Sequence, residues 1–235
     1  MVDISETTIG AEADVPIIQL CIDVLDPDEA IGIGEMGLRA GVDWLEIGTP
    51  LISFAGIANL SAFAEHFRDT VKFLDPKVMD GAGRYMQAAA EMGVTLVAVC
   101  ASASDATFRA AIRVGREVGV KVVGDLYAHS DPYRRAAELA EMGVDLIYIH
   151  YGFDENSERS DADPSLAQLL ELKRRISVPI GIVTSSTEMA VEATRAGADI
   201  LLVSHPFLVG PKAEEKLTDY VRSVRSARQF AESGS

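Results

Sequence analysis

One phrase recurs five times along the chain: the end of an amphipathic segment, a glycine, and then a short aliphatic run. It reads RAGVDWLEI at 39–47, EMGVTLVAV at 91–99, EVGVKVVGD at 117–125, EMGVDLIYI at 141–149 and RAGADILLV at 195–203. Gly41, Gly93, Gly119, Gly143 and Gly197 stand where a helix C-terminus takes a left-handed residue. The runs that follow are nearly continuous in apolar residues, as in parallel strands covered on both faces. Further runs at 17–22, 71–74 and 178–182 complete eight strands, starting near 17, 44, 71, 94, 120, 144, 178 and 199. Amphipathic segments separate them, and a last helix is predicted near 214–231. Eight βα units of similar length close into a barrel more readily than they form an open sheet. No G-x-G-x-x-G follows the first strand, which removes the dinucleotide-binding alternative. The predicted fold is therefore α/β, a single (β/α)8 TIM barrel over 16–232, preceded by a flexible acidic tail at 1–15. A chain of 235 residues suits that fold, which typically needs about 250.

The chain carries 36 acidic against 21 basic residues, a formal charge of −15. That balance argues against nucleic acid and anionic membranes as partners, because both are bound through basic patches. A small anionic substrate stays compatible with it, since local positive charge or a bound cation can overcome the net field. Two cysteines, Cys21 and Cys100, make no disulfide framework and suit a reducing cytoplasm. The polar start of the chain lacks the pattern of a signal peptide. No apolar run approaches the roughly 20 residues of a membrane span. A soluble, cytoplasmic protein is expected.

Barrels of this kind carry their chemistry where the strands finish. The polar residues there are Asp23 after strand one, Glu46 in strand two, and Asp75, Lys77 and Asp80 in the LDPKVMD run of strand three. Asp125 and His150 end strands five and six. Thr184, Ser185 and Ser186 follow strand seven, and Ser204 and His205 follow strand eight. Alternation along a strand puts Asp75 and Lys77 on one side and Pro76 on the other. A lysine between carboxylates stays protonated and can stabilise or protonate a developing enolate. Glu46 and Asp75, on adjacent strands, could hold Mg2+ through oxygen ligands and so polarise a hydroxyketone. Asp80, in the turn, could reach back toward Lys77 or outward to a neighbouring subunit. Plainer roles compete at several positions. Asp23 could cap the helix starting near residue 27, Asp125 could be a layer residue bonded to Lys77, and His150 could be a satisfied core histidine. His205 could merely shape its loop. The polar stretch at 151–164 is long enough for an active-site loop.

In QLCIDVLD, WLEIGTPLI, LDPKVMD, VVGDL and IHYGFDE the chain resembles the orotidine monophosphate decarboxylase superfamily. Within it, the EIGTPLI run beside D-x-K-x-x-D resembles the branch of hexulose-6-phosphate synthases and 3-keto-L-gulonate-6-phosphate decarboxylases. The resemblance spans about 16–210 and implies a Mg2+-dependent enzyme that forms a 1,2-enediolate. It implies that Glu46 and Asp75 bind the metal, that Lys77 and Asp23 meet the substrate, and that His150 handles the proton at the reacting carbon. It also implies a homodimer in which Asp80 completes the partner's active site. The H-x-G-x-D-E stretch is closer to the synthases, which favours aldol chemistry joining formaldehyde to a ketopentose phosphate, or its reverse. A β-keto sugar acid decarboxylase and a ligand-binding barrel without catalysis are the competing readings.

One part of the family pattern is missing. Its members grip the substrate phosphate with glycine-rich turns after strands seven and eight, whereas this chain reads GIVTSSTEM and LLVSHPFLVGP. Side chains there restrict φ and block close approach of the backbone, and Pro206 removes one N–H donor. Thr184, Ser185, Ser186, Ser204 and His205 are the residues left to contact substrate, with Asp125 beside Lys77. The expected substrate is a sugar or sugar phosphate whose phosphate is absent or held differently.

Overall fold

The computed structural model describes residues 15–158 and 163–232; all but the last residue of the expected N-terminal tail lies outside them. Eight parallel strands close into a barrel in sequence order. They are β1 (Ile17–Ile22), β2 (Trp44–Ile47), β3 (Val71–Val78), β4 (Leu96–Cys100), β5 (Lys121–Asp125), β6 (Leu146–Ile149), β7 (Ile180–Thr184) and β8 (Ile200–Val203). The single TIM barrel read from the repeats is thus the observed fold.

Several strands begin one or two residues later than predicted, and the repeated phrase explains why. The residue after each glycine donates its N–H back into the preceding helix: Val42 to Gly37, Val94 to Ala89, Val120 to Gly115, Val144 to Leu139 and Ala198 to Ala193. This is the bonding of a helix C-cap, so that residue closes the helix before the strand starts. Where the phrase continues with aspartate, the side chain ties down the neighbouring strand. Asp43 accepts from the Ile18 N–H, Asp145 from Val122 and Asp199 from Ile180, at 2.7–2.8 Å.

Helices α1 (Pro27–Ala40), α4 (Ala82–Glu91), α5 (Asp105–Val118), α6 (Pro132–Met142), α8 (Ser165–Arg175), α9 (Thr187–Arg195) and α10 (Ala213–Glu232) surround the barrel. Between β2 and β3 run α2 (Thr49–Ala55), a 3-10 turn (Ile57–Leu60) and α3 (Ser61–His66). The stretch expected as a loop at 151–164 contains a short helix, α7 (Phe153–Glu158), and its residues 159–162 lie outside the described residues. Helix α1 is capped by Asp26, whose side chain accepts from Asp28 and Glu29, so capping is not the task of Asp23. Apolar residues from every strand but β7 (among them Ile17, Trp44, Phe73, Leu96, Val123, Leu146 and Ile200) fill the barrel, partly buried Val183 of β7 packs against them, and a larger cluster seals strands to helices. Among the described residues no helix is long and apolar enough to cross a membrane.

One strand departs from regularity. Leu74 pairs with Val97 and Val78 with Val99, so four residues of β3 run against two of β4. Lys77 has φ +50, in the left-handed region that a side chain disfavours. Asp75 and Lys77 therefore meet across a bulge, and the expected simple alternation is not what aligns them.

Candidate active site

The C-terminal ends of the strands open into a cavity of about 690 Å3. Asp23, Glu46, Asp75, Lys77, Asp125, His150, Ser204 and His205 line it, joined by Cys21, Thr49, Phe73, Tyr127, Tyr148, Phe153 and Asp154. The strand-end residues of β1, β2, β3, β5, β6 and β8 thus converge on one space.

At its floor Asp125 stands between Lys77 and His150. Lys77 Nζ donates to Asp125 Oδ2 at 3.2 Å and to Asp75 Oδ2 in a shorter contact. His150 Nδ1 lies 3.0 Å from the same Asp125 Oδ2. Burial opposes the charge on Lys77, yet Asp125 and Asp75 together raise its pKa, so it is an ammonium at any physiological pH. Burial likewise works against ionised Asp125, but His150, Lys77 and the Tyr127 N–H outweigh it and hold the carboxyl well below its usual range. For His150 the gain from Asp125 exceeds the cost of burial, and its pKa is raised.

Glu46 and Asp75 form the second feature. Glu46 Oε2 accepts from Gln19 Nε2 at 2.6 Å and from the Cys21 thiol at 2.9 Å. Asp75 Oδ2 accepts from Lys77 and from Thr49 Oγ1 at 3.1 Å. Asp75 Oδ1 is buried and has no hydrogen-bond partner among the described residues. Burial, then the charges of Asp75 and Asp23, push the Glu46 pKa up to about 8. Two hard oxygen donors, an orphaned oxygen on Asp75 and a Glu46 carboxyl that makes no ion pair among the described residues are what a divalent cation such as Mg2+ fits. Among the described residues no three His, Cys, Asp or Glu side chains are grouped as a metal site.

Asp23 accepts from the Ser204 hydroxyl at 3.0 Å, and burial raises its pKa. Around this set the structure distributes the other expected residues unevenly. Thr184 is buried with its hydroxyl 2.6 Å from the Tyr220 hydroxyl and 3.2 Å from the Leu202 carbonyl oxygen, on the helix side of the sheet. Ser186 caps α9 through the Met189 N–H. Neither they nor Ser185 lines the cavity, which corrects the expectation that these three present hydroxyls to the substrate. The parity of β7 explains Thr184: Val183 faces the cavity, so its neighbour faces out. Asp80 also stands outside, bordering an outer groove of about 840 Å3 with Ile57, Arg84 and Tyr85.

Tyr127 and Thr49 were not among the expected site residues. The Tyr127 ring lies 5.1 Å from the His150 ring and 5.7 Å from Lys77 Nζ, and it lines the cavity beside both. Its position two residues beyond Asp125 was the only sequence signal. Thr49 lies inside the EIGTPLI run, in which Glu46 was the one residue given a site role.

A family model described as orotidine 5'-phosphate decarboxylase / HUMPS family matches residues 16–214. A 3-hexulose-6-phosphate synthase of Staphylococcus aureus is 29% identical over 163 residues, covering 69% of this chain and 77% of its own. A crystal structure of a 3-hexulose-6-phosphate synthase superposes with a TM-score of 0.80 at 26% identity, over 90% of this chain and 99% of that one. A crystal structure of KGPDC from Streptococcus mutans has the same fold with a TM-score of 0.82 at 16% identity, covering 90% and 98%.

Proposed function

The chain belongs to the orotidine 5'-phosphate decarboxylase / HUMPS family, in its hexulose-6-phosphate synthase and KGPDC branch, and we propose that it is a carbon–carbon lyase working through the 1,2-enediolate of a ketose. The synthase relatives favour aldol over decarboxylation chemistry. The observation that carries the reading is Asp125 between Lys77 and His150, which places two proton-bearing groups beside the Glu46–Asp75 pair.

In this reading His150, as the neutral base, takes the proton from the carbon next to the ketone. The electron pair moves to the carbonyl oxygen, and the Lys77 ammonium stabilises the charge that develops there. The enediolate carbon then attacks the aldehyde carbon of formaldehyde. As the new C–C bond forms, the aldehyde oxygen receives the proton from His150, which restores the base. Asp125 orients Lys77 and His150 and does not itself exchange protons, since its carboxyl is held ionised. Glu46 and Asp75 would hold Mg2+, which when bound polarises the substrate oxygens. Asp23, with Ser204, would receive a substrate hydroxyl.

The family's phosphate grip is rebuilt in this proposal. Thr184 and Ser186 are committed to Tyr220 and to the α9 cap, Ser204 to Asp23, and Pro206 has no N–H. These commitments support a substrate whose phosphate is absent or differently placed. A homodimer completes the reading, with Asp80 delivered to the partner's cavity. The groove at Asp80, next to the half-exposed Met79, supports that surface as the contact.

Proton NMR in D2O, with enzyme and Mg2+, tests the reaction. Ribulose and ribulose 5-phosphate are supplied separately, each with and without formaldehyde. Loss of a C1 proton signal followed by formaldehyde consumption supports the aldol reading. Exchange confined to ribulose supports the rebuilt phosphate site, and ordinary turnover of ribulose 5-phosphate sinks it. A folded enzyme that exchanges neither ketose overturns the enediolate reading.

A further inference from the structure

We infer that Tyr148 and Gln19 are positioning residues, a buried chain that fixes Glu46 so that one of its carboxylate oxygens stays free for a divalent cation. The inference rests on the cation reading above and adds residues that do not touch the cation. Tyr148 Oη donates to Gln19 Oε1 at 2.7 Å, and Gln19 Nε2 donates to Glu46 Oε2 at 2.6 Å. The chain crosses the barrel interior from β6 through β1 to β2, and all three side chains are buried.

The polarity of the chain is fixed along its length. With Glu46 ionised, as it must be to hold a cation, and with the tyrosine hydroxyl on the Gln19 oxygen, the amide turns its NH2 to Glu46; the flipped amide would set oxygen against carboxylate. Together with the Cys21 thiol this gives Glu46 Oε2 two donors. Among the described residues Glu46 Oε1 has no hydrogen-bond partner, and Glu46 lines the cavity. The fold makes room for this arrangement. Tyr148 stacks on Phe73 with centroids 5.2 Å apart, and a Cβ on Gly181 would come within 2.6 Å of the Tyr148 ring. Barrel interiors of this class are filled mostly by branched aliphatics. Polar groups there cost stability unless each is bonded. A chain of three that ends on a cavity carboxylate has the form of an outer shell around a metal ligand, and such shells set ligand orientation.

The test is Mn2+ binding to the full-length protein, followed by electron paramagnetic resonance, for wild type, Tyr148→Phe and Gln19→Met. Melting temperatures of the chelated proteins are measured beside it. The expected result is about a 10- to 100-fold weaker Mn2+ affinity in Gln19→Met, and about tenfold in Tyr148→Phe, for protein that remains folded. Should Gln19→Met not fold, Tyr148→Phe decides alone, since it removes a single oxygen. Variants that melt lower but bind Mn2+ as tightly as wild type would overturn the inference and leave the cation reading standing. A wild type that binds no Mn2+ would remove both.

Discussion

The Asp23 carboxylate occupies the space that a side chain at position 48 would need: a Cβ on Gly48 would lie 2.2 Å from Asp23 Oδ1 and 2.7 Å from the Ile22 carbonyl oxygen. The backbone oxygen cannot step aside cheaply, so Asp23 would have to move off Ser204. Gly48→Ala should cost about 1–3 kcal/mol in denaturant unfolding. It should also lower ketose C1 exchange more than it lowers stability. Equal exchange in the variant would remove Asp23 from the reaction.

Lys77 combines a left-handed backbone with two buried ionic partners. Lys77→Ala should reduce C1 exchange by about 100-fold or more. It also leaves buried Asp75 without its cation and Asp125 with His150 and the Tyr127 N–H alone, at a cost of about 3 kcal/mol at neutral pH. That deficit should shrink as the pH is lowered and the carboxylates protonate. Lys77→Gly should unfold about 1 kcal/mol less readily than Lys77→Ala, because only the alanine retains a Cβ at φ +50. Identical stabilities of the two variants would contradict the bulge.

Removal of divalent cations should expose the Glu46 carboxyl in the pH dependence of stability. Its folded pKa of about 8 lies above the ordinary value of 4.5, so between them the folded protein holds a proton that the unfolded chain has released. Stability of the chelated protein should therefore fall as pH rises from about 4.5 to 8, by on the order of a few kcal/mol. His150, also raised, adds a loss of the same sign above its ordinary 6.5. Thermal melts of Glu46→Gln should lack the lower part of this slope. A wild-type melting temperature that is flat across the window would disprove the assignment.

Thr184 serves the core. Thr184→Val leaves the buried Tyr220 hydroxyl without its side-chain partner and should destabilise by about 1–3 kcal/mol. Substrate KM and kcat should stay at wild-type values under conditions where the variant is folded. A KM effect without a stability effect would return Thr184 to the substrate site.

Thr184 marks where strand-end reading stops working. Polarity at the end of β7 was visible, but its direction was not, because the next elements give no count of where the strand's last inward residue falls. Val183 supplies that count once β7 is seen to bond with β8. Lys77 is the converse case. Its partners Asp75 and Asp125 were named as strand ends, yet the bulge that lets it reach both has no local signature beyond Pro76.

Strand number, helix ends and the face that bears the charges were determined by sequence alone, because each follows from local rules. Gly41, Gly93, Gly119, Gly143 and Gly197 end helices through their own φ, and apolar runs of strand length sit after them. Tertiary structure decided which oxygen of each carboxylate is free, which residues stand beside Lys77 and His150, and which hydroxyls belong to the core. Those outcomes rest on contacts such as Tyr148 with Gln19, 129 residues apart. No periodicity encodes them; they exist only once barrel closure sets the eight strand ends around one space.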